Sequence, residues 1–185
     1  TPTLSQLKVR LESLEPGRAL VVFTGNYSEA ELPGTDEEGR ARAEKQVLAH
    51  VTATTDFVKR GGRVYFLAGD QDFAAGGTKA VRRLRRFLNQ SYQAAAGDAD
   101  SDEVRDVMPH AGCGDVIDLE LTVSLALVLL NSQWWMQDWA NDPESNEGCD
   151  LKTRLAFRLE VQGAFSDHRT RRLIVASHHP LPSYG

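Results

Sequence analysis

Four short, almost continuously apolar runs occur along the chain and alternate with longer segments of helical periodicity. The apolar runs are ALVVF (19–23), RVYFLA (63–68), LALVLL (125–130) and RLIVAS (172–177). The segments with helical periodicity are 4–14, 37–59, 78–95 and 151–165. Strands that are apolar at nearly every position are typical of sheets covered on both faces. The alternation therefore predicts an α/β fold with a largely parallel central sheet.

The segments between these elements have the composition of strand connections and loops. Segment 115–131, DVIDLELTVSLALVLLN, predicts either two strands or one bent strand. We expect loops at 69–77 and at 132–150, the second with a cluster of tryptophans. The stretch 97–105, GDADSDEVR, is acidic and rich in small residues, which predicts a mobile surface loop.

The size and charge of the chain limit what it can be. Its 185 residues suffice for a single domain with its own hydrophobic core. The formal charge of −5 argues against a nucleic-acid-binding protein, which needs a basic surface. No apolar run approaches the roughly 20 residues of a membrane-spanning helix, so we expect no transmembrane segment in this chain. The abrupt start, TPTLSQLKVRLESL, suggests that an upstream segment has been removed or left out.

The chain has two cysteines, Cys113 and Cys149. Two cysteines are too few for a structural zinc site, and these two are too far apart in sequence for a redox pair. They can form one disulfide that closes a loop of about 35 residues, or they can be two separate thiols. Because both lie in polar loop sequence, the disulfide is the favoured interpretation.

Polar residues follow each of the four apolar runs directly. They are TGNY (24–27), GDQD (69–72), NSQWW (131–135) and HHP (178–180). Parallel sheets bind ligands beyond the carboxyl ends of their strands. If the four strands are neighbours, these segments meet at one edge of the fold. Asp, Asn and His side chains at such an edge are the oxygen and imidazole donors that divalent metals take.

In order and context, these segments resemble the motifs of the calcineurin-like metallophosphoesterases. The most similar group is a bacterial subgroup that resembles purple acid phosphatases, with GDN, GNHD, LDTQWW and HHPL motifs. Here the corresponding segments read TGNYSE, AGDQDF, LNSQWW and SHHPLPSYG, and the resemblance covers about residues 20–185. It implies an α/β sandwich with largely parallel or mixed central sheets flanked by helices. It also implies hydrolysis of phosphate esters by a water that two metal ions activate.

The chain departs from the family's motifs at the positions that matter most for chemistry. Asn26 occupies the position of the Asp that bridges the two metals, and Asp70 that of a ligand Asn. Gln71 replaces the His that helps to protonate the leaving group, and an amide does not titrate near neutral pH. Asn131 replaces an Asp, whereas His178 matches its family position.

The resemblance therefore assigns candidate roles to a small set of residues. The candidate metal ligands are Asn26, Asp70 and His178, and the candidate substrate-binding residues are Asn131 and His179. We predict no confident catalytic residue, because Gln71 stands where the catalytic His belongs. The family's first and last ligand blocks would lie before Thr1 and after Gly185, so the single domain 1–185 is expected to be incomplete at both ends.

Two functions are compatible with these residues. The first is a metallophosphoesterase-like domain with impaired catalysis that acts as a binding or scaffold module. The alternative is an active metal-dependent phosphoesterase, with one or two Mn, Fe or Zn ions, that is completed by residues outside the chain. The resemblance implies a phosphate ester or a protein as the partner. It also implies an extracytoplasmic location, in a larger membrane-associated protein.

Each candidate residue also has a purely structural interpretation. Asp70 and Asp72 can be turn or helix-capping residues, and Asn26 can be a turn residue in the left-handed region. The tryptophans 134, 135 and 139 can be packing groups. The arginines in RRLRR (82–86) are typical of a solvated helix face rather than of a phosphate site.

Overall fold

Two three-stranded sheets lie at the centre of the part of the protein that the computed structural model describes, residues 3–28, 37–74, 76–96, 107–108, 112–138 and 146–180. The strands are β1 (Leu20–Phe23), β2 (Arg63–Leu67), β3 (Val107–Met108), β4 (Ile117–Thr122), β5 (Leu125–Leu130) and β6 (Arg172–Ser177). The helices are α1 (Leu4–Glu12), α2 (Glu37–Lys59), α3 (Asp70–Ala74), α4 (Gly77–Ala96), α5 (Ser132–Met136) and α6 (Arg154–Asp167).

The first sheet is parallel and the second is mixed. The strand order in the first sheet is β1-β2-β3, and both strand pairs are parallel. In the second sheet, β5 pairs antiparallel with β4 and parallel with β6. The prediction of a mixed α/β fold, with parallel or mixed sheets flanked by helices, is confirmed at this level. The four predicted strands do not form one central sheet, because β1 and β2 lie in the first sheet and β5 and β6 in the second.

The predicted helices and strands otherwise agree with the structure, with local corrections. Helix α1 ends at Glu12 rather than at residue 14. Segment 69–77 was expected to be a loop, but it contains α3 and the start of α4. Segment 132–150 likewise contains α5, which Asn131 caps through its side-chain oxygen. The short strand β3 was not predicted. Helix α6 begins at Arg154 rather than at 151, because Thr153 caps it by accepting a hydrogen bond from the Ala156 N–H.

Segment 115–131 forms two separate strands, β4 and β5, rather than one bent strand. The predicted mobile loop 97–105 and Trp139 lie outside the described residues. No helix in the described parts of the chain combines the length and the apolarity that crossing a bilayer requires.

The alternation of side chains along the strands explains why the central strands are apolar throughout. Tyr65 and Leu67 on β2 form one cluster with Leu127 and Leu129 on β5, so this cluster joins the two sheets. The intervening residues, such as Phe66, belong to a second cluster that includes helix residues. Because successive side chains of a strand point to opposite faces, a strand with both faces covered must be apolar at every position.

A disulfide joins Cys113 to Cys149, as the polar context of the cysteines favours, with the two Cα atoms 5.5 Å apart. The indole N–H of the buried Trp134 donates a hydrogen bond to Asn146 Oδ1 at 2.8 Å, in the segment that leads to Cys149. Gly114 faces the Trp134 ring so closely that a Cβ atom there would lie 2.2 Å from it. Trp134 is therefore a packing group that fixes the loop around the disulfide.

Candidate functional site

The segments that follow β1, β2 and β6 meet at one edge of the fold. The Asn26 side-chain amide donates to Asp70 Oδ1 at 2.9 Å, and His178 Nε2 lies 3.2 Å from the same oxygen. His178 Nδ1 lies 2.6 Å from the carbonyl oxygen of Thr24 and so joins the two sheets. We call this group of Asn26, Asp70 and His178 the rim cluster. The three residues predicted as metal ligands are thus neighbours in space.

Two glycines allow the segments to approach each other this closely. Gly25 has a φ of +108°, and a Cβ atom there would lie 2.5 Å from the backbone nitrogen of Gly69. A Cβ atom on Gly69 would lie 2.3 Å from Asn26 Oδ1. Asn26 itself has a φ of +61°, in the left-handed region that asparagine tolerates better than most residues. The two glycines and Asn26 therefore have a structural role: they allow the backbone to adopt the conformation that brings the two segments together.

The two aspartates of the GDQD segment have different surroundings. Asp72 accepts hydrogen bonds from the backbone N–H groups of Asn26 and Gly69, both at 2.8 Å, and of Tyr27 at 3.4 Å. Burial raises the pKa of its carboxyl group, and the backbone donors oppose that shift. Asp72 therefore has a structural role, but within α3 rather than as a cap of α4: its carboxylate fastens the segment after β1 to the segment after β2.

Asp70, by contrast, faces solvent with 49% of its side chain exposed. The hydrogen bond from Asn26 lowers the pKa of the Asp70 carboxyl group, and the hydrogen bond from His178 acts in the same direction. Asp70 is therefore an ionised carboxylate at neutral pH. It is the group in the rim cluster that could bind a cation directly.

The orientation of His178 is that of a histidine able to ligate a metal. A carbonyl oxygen only accepts hydrogen bonds, so Nδ1 must carry the proton that is donated to Thr24. The other ring nitrogen, Nε2, is directed at the Asp70 carboxylate, which only accepts hydrogen bonds, so this contact places a proton on Nε2 as well. A metal ion bound there would take the place of that proton, between the ring and Asp70. Metal-binding histidines commonly donate their second ring N–H to a backbone carbonyl in this way, which fixes the ring and leaves the other nitrogen for the metal.

Gln71 lies beside the rim cluster but has no acid–base chemistry to offer. Its backbone N–H donates to Asn26 Oδ1 at 3.1 Å, and its side-chain amide lies 3.4 Å from Asp70 Oδ2. Asn26 is thus held on both sides, with its oxygen on Gln71 and its nitrogen on Asp70. The Asn26 atom that faces the carboxylate is a hydrogen-bond donor rather than a metal ligand.

The end of β5 meets the end of β6 next to this cluster. The Ser132 hydroxyl accepts a hydrogen bond from the His179 backbone N–H at 2.9 Å and lies 3.1 Å from His179 Nδ1. The rings of His178 and His179 pack edge to face with centroids 4.8 Å apart. These contacts confirm that the ends of all four predicted strands lie at a common edge.

Asn131 has a structural place at this edge. Its side chain is 1% exposed, and its amide donates to the carbonyl oxygens of Gly112 and Cys113, both at 3.0 Å. Its oxygen accepts a hydrogen bond from the Trp134 N–H at 2.9 Å. Every polar atom of this side chain is engaged within the protein, so we do not include Asn131 in the candidate site.

A polar cavity of about 200 Å³ adjoins the rim cluster. Asp70 lines it together with Gln133 and Gln137 from the region of α5, and with Gly76 and Gly77 before α4. The two glutamines are not among the residues predicted for the site. Gln133 lies in α5 and Gln137 directly follows it, so their shared position depends on where this short helix ends.

Among the residues that the structure describes, no group of three or more His, Cys, Asp and Glu side chains is arranged to hold a metal ion. The rim cluster supplies two such side chains, and the amide of Asn26 is the third member. No protein-family model matches the chain, and no curated protein or solved structure shows a significant similarity to it.

Tyr27 is a further structural support of the site. It is buried, and the single proton of its hydroxyl is shared between the carbonyl oxygens of Leu67 and Phe23, at the ends of β2 and β1. We expect Tyr27→Phe to lower the free energy of unfolding by about 1–2 kcal/mol, because buried carbonyls lose their donor. Urea denaturation followed by circular dichroism measures this change. An unchanged denaturation midpoint would mean that the hydroxyl contributes nothing to holding these strand ends.

Proposed function

We propose that this chain is a metallophosphoesterase-like domain that has lost paired-metal hydrolysis and acts as a binding or scaffold module. The observation that carries the proposal is the contact between the Asn26 amide and Asp70. In the family that the sequence resembles, a carboxylate at the position of Asn26 bridges two metal ions. Here that position holds an amide whose N–H is directed at the remaining carboxylate.

The donors at the rim suit one cation and do not suit two. Two dications a few ångströms apart repel each other strongly unless an anionic ligand lies between them. Asp70 is the exposed carboxylate of the rim cluster, and Asp72 is committed to backbone N–H groups. Asp70 and His178 would hold a single weakly bound divalent ion, with Asn26 as a further oxygen ligand if its amide turned over. Such an ion would attract and polarise an anionic oxygen of a ligand.

The second missing component is a proton carrier. Hydrolysis of an ester needs a group that protonates the leaving oxygen, and such a group must titrate near the working pH. Gln71 stands at that position and cannot titrate. Loss of the bridging carboxylate and loss of the acid affect different steps, and together they favour binding over turnover. The polar cavity beside Asp70 is the place where a small phosphate ester or a similar polar ligand would bind.

The disulfide supports an extracytoplasmic location, because such bonds form and persist in oxidising compartments. Proteins kept in a reducing cytosol rarely retain them. A location in the cell envelope agrees with the resemblance to a subgroup whose domains can stand beside membrane-anchored modules.

A repair experiment tests the proposal. The full chain is incubated with Mn, Fe or Zn and desalted, and the retained metal and the turnover of p-nitrophenyl phosphate are then measured. We expect the wild-type protein to retain at most one ion and to show no turnover above that of His178→Ala. The double variant Asn26→Asp/Gln71→His should retain more metal, because it restores a carboxylate at the position that bridges the two ions in the family.

The control for the repair is Asn26→Gly/Gln71→His, which tolerates the positive φ but adds no carboxylate. It should retain no more metal than the wild type. Retention of two ions by the wild type, with turnover that His178→Ala abolishes, would establish the active phosphoesterase instead. If the repair variant and the wild type retain equal amounts of metal, the assignment of these segments to a metal edge is contradicted.

A further inference from the structure

Helix α6 borders an open groove of about 940 Å³ on the protein surface. Leu155, Leu159 and Phe165 from the helix line one part of it, and Trp135 and Leu130 line another. The remaining lining residues include Arg158 and Arg169. We call this surface the α6 groove.

The groove is apolar because α6 has two apolar stripes. Phe157 and Ala164 are buried in the core, and Val161 packs partly against it. The second stripe faces outward, with Leu155, Leu159 and Phe165 being 64%, 58% and 38% exposed. A helix that covers one face of a sheet needs a single apolar stripe, so a second, solvent-exposed stripe beside a groove is typical of an interaction surface.

The charged residues at the groove indicate which kind of partner it binds. Arg158 and Arg169 are exposed, and none of the lining residues within the described ranges is acidic. Neither arginine forms a salt bridge with another residue in the described ranges. The overall charge of the chain is negative, so this local positive pair contrasts with the protein as a whole.

We propose that the α6 groove binds an amphipathic helix of a protein partner, with an apolar stripe flanked by acidic residues. Helices commonly bind grooves of this kind through apolar anchors at positions i, i+3, i+4 and i+7. The acidic flanks would pair with Arg158 and Arg169. This inference concerns a different surface from the rim cluster and names the kind of partner that a binding or scaffold module would take.

Two other occupants fit the groove less well. In a symmetric dimer the same patch meets itself, which would bring two arginines from each copy together without an acidic partner in the groove. A bilayer surface binds protruding apolar side chains, whereas the apolar residues here border a concave space. Both occupants are outcomes that the experiment separates.

The experiment uses the full chain and a labelled synthetic peptide of about 18 residues, long enough for five helical turns. The peptide has leucines on one face and glutamates on both sides of that face. Its two controls have lysine in place of glutamate, or the same residues in scrambled order. We expect fluorescence anisotropy to show that the glutamate peptide binds at least about tenfold more tightly than either control, a difference of about 1.4 kcal/mol.

Variants of exposed residues assign the binding to the groove. Arg158→Glu/Arg169→Glu should reverse the preference, so that the lysine peptide binds more tightly than the glutamate peptide. Leu159→Ser/Phe165→Ser should weaken binding of both peptides about tenfold or more, with an unchanged circular dichroism spectrum. Arg10→Glu/Arg40→Glu, at exposed positions on α1 and α2 outside the groove, makes the same change in net charge and should leave the preference as it is.

Several results would overturn the proposal. These are equal binding of the glutamate and scrambled peptides, no binding of any peptide, or an unchanged preference in the double arginine variant. A dimer in light scattering that Leu159→Ser/Phe165→Ser dissociates would assign the groove to a second copy. Cosedimentation with anionic phosphatidylglycerol vesicles that the same variant abolishes would assign it to a membrane. Retained metal reports on the rim cluster and peptide binding on the groove, so each proposal can fail without the other.

Discussion

Replacing Cys113 and Cys149 together with serine is expected to lower the free energy of unfolding by about 4 kcal/mol. The two cysteines are 36 residues apart in sequence, and the bond between them restricts the unfolded chain over that whole loop. In a protein of this size, such a loss corresponds to a fall in the melting temperature on the order of 10 °C. The loop contains β4, β5 and α5, so the bond constrains much of the second sheet.

The position of the disulfide adds a local effect. The Cys113 carbonyl accepts a hydrogen bond from Asn131, which caps α5, and the buried Trp134 follows in that helix. Differential scanning calorimetry of the variant, and of the wild type with and without dithiothreitol, measures the change. The reduced wild type serves as the matched control and should melt close to the double serine variant. Equal melting temperatures for the oxidised and reduced wild type would contradict the prediction.

The second large effect is expected for Asp72→Ala, which should lower the free energy of unfolding by about 2–3 kcal/mol. The substitution leaves the backbone N–H groups of Asn26, Gly69 and Tyr27 without their acceptor. These groups lie in the two segments that form the rim, so the site itself should loosen. Hydrogen exchange at the amides of Asn26 and Gly69 should therefore accelerate along with the loss of global stability.

The variant Asp70→Ala is the control, because it removes the same type of side chain two residues away. The Asp70 carboxylate is half exposed and its partners are side chains that water can satisfy, so we expect a loss below about 1 kcal/mol. Asp72→Asn should fall between the two, because an amide keeps one acceptor oxygen but turns a donor toward a backbone N–H. Urea denaturation gives the three values. A larger loss for Asp70→Ala than for Asp72→Ala would show that the two roles are reversed.

Several features of the site followed from the sequence because they depend on local rules. A buried strand that ends in polar residues delivers those residues to one end of its sheet, whatever the rest of the fold. This rule places Asn26 and Asp70 together, because they follow neighbouring strands of the first sheet. His178 follows β6 of the second sheet and reaches Asp70 only because the ends of the two sheets meet. The polar context of Cys113 and Cys149 likewise favoured the bond that the structure contains.

Other features could not be read from the sequence because they depend on the side-chain environment. Asp70 and Asp72 are identical residues in one short segment, and only their surroundings make one a solvent-facing carboxylate and the other a backbone anchor. Asn131 follows a strand as the other candidates do, but the turn around Cys113 and Trp134 surrounds it completely. Its burial results from contacts 18 and 19 residues away in the chain.

By itself, the sequence determined the alternation of strands and helices, the edge at which the strands end, and the chemical types available there. Periodicity and strand direction are properties of short segments, so short segments suffice to predict them. Only the tertiary structure decided which polar groups hold the backbone and which remain available, and which stripe of α6 faces the core. Those outcomes depend on hydrogen bonds and burial between residues far apart in the chain, and a linear pattern of residue types does not encode them.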